Sequence, residues 1–408
     1  MKTKFSSLAP LLSAGLLVLA FLDPVQAANQ LVSNLGDTGL ASQLRQKLNA
    51  CQSGTNPGGI ITFGVAGTII LDPAKGPLPT ITKNVTINGG ATVEISGNDA
   101  IRIFNVAAGA TLTLNNVTIS HGKSDTDDGG AVSNFGTLNV NNANFFANAT
   151  SASWSGSAIL SWGPLNIVNS EFANNTGGGG AVKPRSANAV TTISGSSFHD
   201  NLSIDTAGGG YGGAMQLHDA PSVTVDKCDF ENNEAGTSGG AIHVDGGSAL
   251  TLTNSTISSN RADTPTGGGL DIRGSAFISN SQITGNTAPV GGAGINAEAD
   301  AQVQIVNSTI ASNKALDYTL NDPNSIDKVY GGGIRSLGTL TISGSTIRDN
   351  VANVAMHGGV GGGIYHENGP LSLTNVTIEG NTTNPNTGAW GVWEKTRTRG
   401  TILGFGSP

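Results

Sequence analysis

The feature that most restricts the fold of this chain is a repeat of about 26 residues that runs through most of its length. One copy, residues 239–260, has the sequence GGAIHVDGGSALTLTNSTISSN. It contains two short segments in which aliphatic and polar residues alternate, around Ile242 and Val244 and then around Leu250 and Leu252. Such alternation is typical of a β-strand that buries one face and exposes the other. A single copy cannot cover its own apolar face, so the repeat predicts a stack of coils, that is, a solenoid.

Two columns of asparagine recur at fixed positions in the repeat. One asparagine closes each coil: Asn148, Asn175, Asn201, Asn233, Asn260, Asn286, Asn313, Asn350 and Asn381. Another position, at the corner after the second strand, holds Asn116, Asn142, Asn169, Asn254, Asn280, Asn307 and Asn375, with Gly195 and Gly344 at matching places. Asparagine and glycine tolerate a left-handed backbone, and stacked asparagines can hydrogen-bond along a column. Both columns are therefore predicted to be structural.

Composition excludes several classes of protein. A net charge of −8 gives no support for nucleic-acid binding. The 59 glycines follow no Gly-X-Y triplet, so the chain is not a collagen. Cys51 and Cys228 allow one disulfide at most, but Cys228 occupies the position of Ser255, Ser308 and Ser345 in other repeats. A buried free thiol at that position is the simpler prediction.

The first 27 residues have the pattern of a secretory signal peptide. Lys2 and Lys4 precede an apolar run at residues 8–22, and Val25-Gln26-Ala27 fits a small-residue cleavage site. We therefore expect a secreted or cell-surface protein. No later stretch is apolar and long enough to cross a bilayer as a helix.

The segment after the signal peptide differs from the repeats. Leu40, Leu44 and Leu48 lie four residues apart, which predicts one amphipathic helix that starts near Thr38 and ends before Gly54. A solenoid needs a cover over its first coil, because open strand edges invite pairing with other chains. This helix is the predicted N-terminal cap.

Repeats of the form GG(A/G)(I/V)xxxGxLTITNSTIxxN resemble those of secreted bacterial right-handed parallel β-helix proteins, close to the polymorphic outer-membrane and adhesin-like surface proteins. Residues 32–63 are similar to the N-terminal module called the CSLREA domain, with Ala-Ser-Gln-Leu-Arg-Gln at 41–46 where that pattern would stand. The resemblance covers nearly all of the chain after residue 27. It implies an all-β, single-stranded right-handed parallel β-helix of about a dozen coils and an adhesin-like role on a bacterial surface.

The predicted organisation has four parts. They are a signal peptide at 1–27, a capping segment with one helix at 28–64, the β-helix at 65–388, and a C-terminal cap or tail at 389–408.

Two places are candidates for function. One is the edge where loops are inserted between the ladder asparagine and the next Gly-Gly pair, at residues 123–128, 202–211, 314–330 and 351–360. The other is the outward face of the first strand of each coil. The position after the buried aliphatic residue holds His243 and Asp271, and its equivalents are Lys183, Gln216, Asn296, Arg335 and Tyr365. Two residues further on stand Phe135, Trp162, Arg185, His218, Asp245, Arg273, Glu298 and Glu367. Coils stack about 4.8 Å apart, so His218, Asp245, Arg273 and Glu298 are predicted to form one row along the axis. His243 and Asp271 are predicted to form another row beside it.

These rows admit two explanations. Carboxylates beside bases could serve a polysaccharide lyase or a glycoside hydrolase, by analogy with pectate lyase. Cross-strand pairs of opposite charge also stabilise sheets without any catalytic role. Trp162, Arg185 and Tyr365 are further candidates for ligand contact. The favoured hypothesis is an adhesin-like binding or structural module for extracellular or cell-wall polysaccharide or for surface proteins, and the enzyme is the alternative. Fold alone does not choose between them, and the oligomeric state stays open.

No cofactor is expected, apart from Ca²⁺ as a candidate ligand of the acidic turn at residues 124–129. Asp125, Asp127 and Asp128 supply carboxylates there, but the turn lacks the spacing and the terminal glutamate of an EF-hand loop. A solvated polar turn explains it equally well.

Overall fold

The chain forms a parallel β-solenoid. Its computed structural model describes residues 29–53, 58–151, 153, 155–204, 209–264, 266–316, 329–353, 359–383 and 392–394. Strands of successive coils pair in parallel and in register, and they build four long sheets that run along the axis. The all-β parallel helix predicted from the repeat is confirmed.

Each sheet is named here by the place of its strand in the coil. In the coil that contains His243 the first strand is Ile242–Val244, the second Ala249–Thr253, the third Thr256–Ser258 and the fourth Arg261–Ala262.

The described strands of the first-strand sheet are Phe104–Val106, Val132–Asn134, Ile159–Ser161, Val182–Pro184, Met215–Leu217, Ile242–Val244, Leu270–Ile272, Ile295–Ala297, Ile334–Ser336, Ile364–His366 and Val392–Glu394. Those of the second-strand sheet are Gln30–Val32, Gly59–Phe63, Val85–Asn88, Thr111–Asn115, Thr137–Asn141, Leu165–Val168, Thr191–Ser194, Val223–Asp226, Ala249–Thr253, Ser275–Ser279, Gln302–Val306, Thr339–Ser343 and Leu371–Thr374.

Those of the third-strand sheet are Gly67–Ile70, Val93–Ser96, Thr118–Ser120, Asn144–Phe146, Glu171–Ala173, Ser197–His199, Asp229–Glu231, Thr256–Ser258, Gln282–Thr284, Thr309–Ala311, Thr346–Arg348 and Thr377–Glu379. Those of the fourth-strand sheet are Lys123–Ser124, Ala149–Thr150, Thr176–Gly177, Leu202–Ser203, Glu234–Ala235, Arg261–Ala262, Thr287–Ala288, Lys314–Leu316, Val351–Asn353 and Thr382–Thr383. A small extra ladder pairs Val329–Tyr330 with Gly359–Val360.

Inward side chains of the sheets stack on their equivalents in the next coil. In the third-strand sheet Phe145, Phe172, Phe198 and Phe230 form a buried column, with ring centroids 4.8–4.9 Å apart. Offset-stacked aromatic pairs contribute about 0.5–1.5 kcal/mol each beyond the burial of their area. The alternation seen in the sequence is thus the side-chain pattern of a continuous core.

The asparagines that close the coils form a buried ladder. Each side chain from Asn148 to Asn350 donates from Nδ2 to Oδ1 of the asparagine one coil further on, at 2.9–3.0 Å. The same amide group also donates to a backbone carbonyl of the third-strand sheet in the preceding coil, as Asn286 does to Ile257. Buried amides that are satisfied in this way fix the register of the stack.

The corner column has the predicted backbone. The asparagines at 116, 142, 169, 254, 280, 307 and 375, together with Gly195 and Gly344, all have φ between 48° and 58°. Beside this column runs a second ladder, in which each backbone N–H donates to the serine Oγ of the next coil. Cys228 takes one place in that ladder as a buried free thiol, which confirms the prediction.

The N-terminal helix, α1, spans Leu44–Gln52 and buries Leu44, Leu48 and Cys51. The prediction of a start near Thr38 was wrong. The side chain of Gln43 accepts hydrogen bonds from the backbone N–H groups of Gly39 and Leu40, so these residues form a turn, and Leu40 is 55% exposed. A short 3₁₀ helix, Pro73–Lys75, follows the strand Gly67–Ile70.

The predicted signal peptide and Gly54 lie outside the described residues, as does the segment after residue 383 apart from the strand Val392–Glu394. Among the helices that the structure describes, none has the length and apolar character needed to span a membrane.

Candidate functional site

One of the two outward rows of the first-strand sheet does not face solvent. His243 is 0% exposed, Asp271 1% and Asn296 0%, and Lys183 and Gln216 are nearly as buried. The expectation that this row forms an open outer surface was therefore wrong. We call it the covered row.

The cover is formed by the glycine-rich turns that precede the first strands. Each of these turns contains a glycine with a left-handed backbone, with φ of 69° at Gly239 and 73° at Gly267. A Cβ atom on Gly267 would lie 2.8 Å from the Cβ atom of Asp271. Only glycine lets the turn lie this close to the strand, so the Gly-Gly repeat is what buries the covered row.

A chain of alternating histidine and aspartate side chains lies within and beside the covered row. His243 Nε2 lies 2.9 Å from Asp245 Oδ1, and His243 Nδ1 lies 2.9 Å from Asp271 Oδ2. His218 Nδ1 lies 2.8 Å from the other oxygen of Asp245. We call His218, Asp245, His243 and Asp271 the relay.

Hydrogen bonding in the relay requires His243 to be an imidazolium. Ionised carboxylates accept but do not donate, and a neutral imidazole has only one N–H. Burial by itself would lower the pKa of His243, but its hydrogen bonds and charge interactions with Asp245 and Asp271 outweigh burial and raise it. Burial would raise the pKa of Asp245 and of Asp271, and the contact with His243 lowers both instead.

The relay continues through polar contacts towards the C-terminal end of the helix. Asn296 donates from Nδ2 to Asp271 Oδ1 at 2.6 Å and to Glu298 Oε1 at 2.9 Å. Arg335 donates to Asn296 Oδ1 at 2.8 Å. Arg273 Nε lies 3.9 Å from Asp271 Oδ2, so all six residues proposed as catalytic candidates belong to one connected network.

The network reaches solvent at the second, outer row. The side chain of His218 is 35% exposed, that of Glu298 35% and that of Arg273 43%, whereas that of Asp245 is 19% exposed. Asp245 holds the His218 ring at Nδ1, and Nε2 on the other side of the ring lies 3.6 Å from Asp219 Oδ2. A histidine held by a carboxylate in this way can accept or give a proton at Nε2.

Aromatic and cationic side chains occupy the same outer row in the three coils that precede His218. The rings of Phe135 and Trp162 lie parallel with centroids 6.2 Å apart, and the Arg185 guanidinium lies 4.6 Å from the centroid of the Trp162 ring. Phe135 is 55% exposed and Trp162 38%. Trp162, Arg185, Asp219 and Gly247 line a groove of about 330 Å³ that reaches the coil of His218. We call it the edge groove.

Tyr365 lies apart from this groove. It is 5% exposed, its ring centroid is 4.6 Å from that of Tyr330, and its hydroxyl donates to Glu367 at 2.9 Å. Burial and the contact with Glu367 raise its pKa. The structure therefore does not bring Tyr365 together with the other two ligand candidates, Trp162 and Arg185.

The three aspartates of the acidic turn point to three different cations. Asp125 lies 3.2 Å from Lys123 Nζ, Asp127 lies 3.3 Å from Arg102, and Asp128 lies 3.7 Å from Arg185. No group of three or more metal-ligating side chains occurs within the residues that the structure covers. Calcium binding at this turn stays a prediction.

Several residues of the network were missed in the sequence. The Ser238 hydroxyl donates to Asp271 Oδ2 at 2.9 Å, the Tyr211 ring lies 4.6 Å from that of His243, and Ser155 accepts from the Lys183 amine at 2.9 Å. Burial lowers the pKa of Lys183, against the charge of Asp128. An alignment of the left-handed glycines would have found Ser155, Tyr211 and Ser238, because they directly precede Gly156, Gly212 and Gly239.

Comparison with known proteins gives a family but no activity. Residues 159–399 match the family described as right handed beta helix region. Among solved structures, the chain is similar to the A-module of the mannuronan C-5 epimerase AlgE6 of Azotobacter vinelandii, with 12% identity over 87% of this chain and 95% of that one. The TM-score is 0.24, so this similarity carries no information on activity. No curated protein sequence matches the chain.

Proposed function

The chain belongs to the family of proteins with a right-handed β-helix region, and from this premise we propose that it is an adhesin-like glycan-binding protein of the cell exterior. Its binding site is the edge groove. The protein is exported by the signal peptide at residues 1–27 and acts outside the cell or on its surface.

The observation that supports this proposal is the stack of planar side chains beside the groove. Phe135, Trp162 and Arg185 lie on successive coils and are each partly exposed. Sugar rings have apolar C–H faces that pack on aromatic rings, and the Arg185 and Asp219 side chains that line the groove can hydrogen-bond hydroxyl groups. Tryptophan and arginine are also the side chains that most often dominate binding energy at protein surfaces.

A polysaccharide-cleaving enzyme, a lyase or a glycoside hydrolase, is the second candidate. It is favoured by His218, which Asp245 orients at the border of the groove. In a lyase, His218 Nε2 would accept the proton from the sugar carbon beside a uronate carboxyl group, while Asp245 keeps the imidazole ring in place. The C–H electron pair would form a C=C bond, and the glycosidic oxygen would leave from the adjacent carbon and take a proton from water. The binding function needs only the groove, whereas the enzyme also needs the relay.

Two variants separate binding from cleavage: Trp162→Ala in the edge groove tests binding, and His218→Ala in the relay tests cleavage. Wild-type protein is tested on a glycan array and for cleavage of pectin and alginate, with and without Ca²⁺. Trp162→Ala is expected to weaken glycan binding about tenfold or more, as loss of a dominant contact does. Phe146→Ala, which removes an aromatic residue that is 43% exposed on the third-strand sheet, is the matched control and should bind normally.

The binding proposal is wrong if the wild-type protein binds no glycan on the array, or if Trp162→Ala and Phe146→Ala bind glycan equally well. Cleavage that His218→Ala abolishes, with binding intact, would establish the enzyme. Binding without cleavage would leave the adhesin-like function.

A further inference from the structure

The outward face of the second-strand sheet has a composition unlike that of the other sheets. Among the described strands of this sheet, Asp226 is the one residue with a charged side chain. The central outward residues of successive coils are Thr86, Thr113, Asn139, Asn166, Thr192, Thr224, Thr251, Phe277, Gln304, Thr341 and Ser372. We call this surface the neutral face.

Hydroxyl and amide groups repeat regularly along the neutral face. Parallel strands lie about 4.8 Å apart, so a polymer along the axis meets one such group per coil. Neighbouring groups also hold each other in place, as in the bonds from Asn141 to Asn115 and from Asn115 to Asn88, both 2.8 Å. An amide that makes one or two such bonds still has donor and acceptor capacity for a ligand.

A groove of about 350 Å³ crosses the neutral face around an aromatic side chain. Phe277, which is 37% exposed, lies in this groove together with Thr251, Gln302, Gln304 and Thr341. Sites for small or extended ligands typically combine an apolar surface with a few well-placed polar groups. The neutral face has this combination at Phe277.

We propose that the neutral face binds an uncharged polysaccharide that lies along the helix axis, with a sugar ring on Phe277 and its hydroxyl groups on the threonine, asparagine and glutamine side chains. An anionic polymer would find no cation in the described strands of this sheet. A protein partner would need an apolar interface core, and around the groove Phe277 is the sole large apolar side chain exposed.

This site is distinct from the edge groove, because the residues that line the two grooves belong to different parts of the coil. Failure of one proposal therefore leaves the other intact. Substitution of Trp162 tests the edge groove alone, and substitution of Phe277 or Gln304 tests the neutral face alone.

The test is retention of the purified protein on insoluble neutral polymers, namely cellulose, chitin and β-1,3-glucan, with soluble alginate and heparin as acidic comparators. Phe277→Ala should weaken retention about tenfold. Gln304→Glu introduces a charge that must be desolvated and should weaken it by a similar factor. Gln282→Glu, at an exposed glutamine of the third-strand sheet, is the matched control and should leave retention unchanged.

Retention on at least one neutral polymer, lost in Phe277→Ala and Gln304→Glu and kept in Gln282→Glu and Phe146→Ala, supports the proposal. Three outcomes overturn it: no retention on any neutral polymer, equal loss in Gln304→Glu and Gln282→Glu, or loss in Trp162→Ala alone. A dimer in sedimentation velocity that Gln304→Glu dissociates would show that a second copy of the chain occupies the face, and would also overturn it.

Discussion

Two outward faces of the same solenoid have opposite properties. The first-strand sheet carries His243 and Asp271 on its outer side and buries both, whereas the second-strand sheet carries Thr224 and Gln304 on its outer side and exposes both. The strands of both sheets pair in the same parallel manner. What differs is the chain that lies over them, because left-handed glycine turns lie over His243 and Asp271, whereas Thr224 and Gln304 are exposed. Outward position in a strand therefore does not by itself imply exposure.

The covered row should be far more sensitive to loss of a carboxylate than the neutral face. Asp271→Ala leaves the buried His243 with Asp245 as its remaining carboxylate partner. It also removes the Asp271 oxygen that accepts a hydrogen bond from the buried Asn296. We expect a loss of about 3–5 kcal/mol in the free energy of unfolding, as for other broken buried ion pairs. Chemical denaturation followed by circular dichroism measures it.

The control for that substitution is Asp226→Ala. The Asp226 side chain is 32% exposed, accepts hydrogen bonds from Thr253 and Asn254, and should contribute about 1 kcal/mol or less. Equal losses in the two variants would remove the contrast between the faces.

The glycine turns should tolerate a methyl group only where no strand lies beneath them. Gly267→Ala combines a left-handed backbone, φ 73°, with a Cβ contact of 2.8 Å to Asp271. We expect a loss of about 2–3 kcal/mol and partial opening of the cover. Hydrogen exchange at the strand Leu270–Ile272 measures the opening.

Gly247→Ala is the matched variant, since Gly247 has φ 80° but no heavy atom within 4 Å of the added Cβ. It should lose only about 1 kcal/mol from the backbone conformation. If Gly247→Ala proved as harmful as Gly267→Ala, close packing of the turn on Asp271 would not be the cause.

The covered row should also make stability depend on pH. The folded pKa of His243 is raised above its ordinary 6.5, so its contribution is complete below that value and is lost as pH rises through the folded pKa. The folded pKa values of Asp245 and Asp271 are lowered from 3.8, so their contribution is present above 3.8 and is lost at lower pH. The relay should stabilise the folded protein most between about pH 3.8 and pH 6.5.

Unfolding midpoints measured from about pH 3 to about pH 9, that is, on both sides of this range, test the prediction. His243→Gln should weaken the decline of stability on the alkaline side. Partial burial would lower the pKa of His199, but contacts with Asp200 and Glu171 raise it as well. The His199 side chain is 32% exposed and its ion pairs are screened by solvent, so His199→Gln should retain most of the decline. A wild-type midpoint that rises from pH 6 to pH 9 would contradict the assignment of His243 as an imidazolium.

The neutral face should show the smallest effect. Thr224→Val replaces an exposed hydroxyl by a methyl group on a strand surface that favours β-branched residues, so its effect on unfolding should be within about 0.5 kcal/mol. The denaturation midpoint measures it. A loss above 2 kcal/mol would mean that the hydroxyl columns hold the fold together in the same way as the asparagine ladder.

Much of the scaffold could be predicted because each of its signals is local and is repeated in every coil. Alternation at Leu250 and Leu252 defines a buried face, and Asn254 meets the need for a left-handed corner. The start of α1 was predicted wrongly because the decisive contact is a side-chain hydrogen-bond acceptor, Gln43, that no periodicity reveals.

The candidate site was predicted in part. The sequence placed His218, Asp245, Arg273 and Glu298 in one row and His243 and Asp271 in another, and the structure connects them. It could not show that Ser238, 33 residues before Asp271, donates a hydrogen bond to it across a turn.

The sequence by itself determined the coil, its core and its asparagine ladder, because these depend on side-chain period and on backbone preferences at each position. Only the tertiary structure decided which polar face is buried. Burial there depends on turns of the chain laid over a strand, and a turn that lacks a Cβ atom can approach a charged side chain closely enough to exclude water. That difference leaves a buried network of charged side chains on one outward face, and on the other an open surface whose described strands carry Asp226 as their single charged residue.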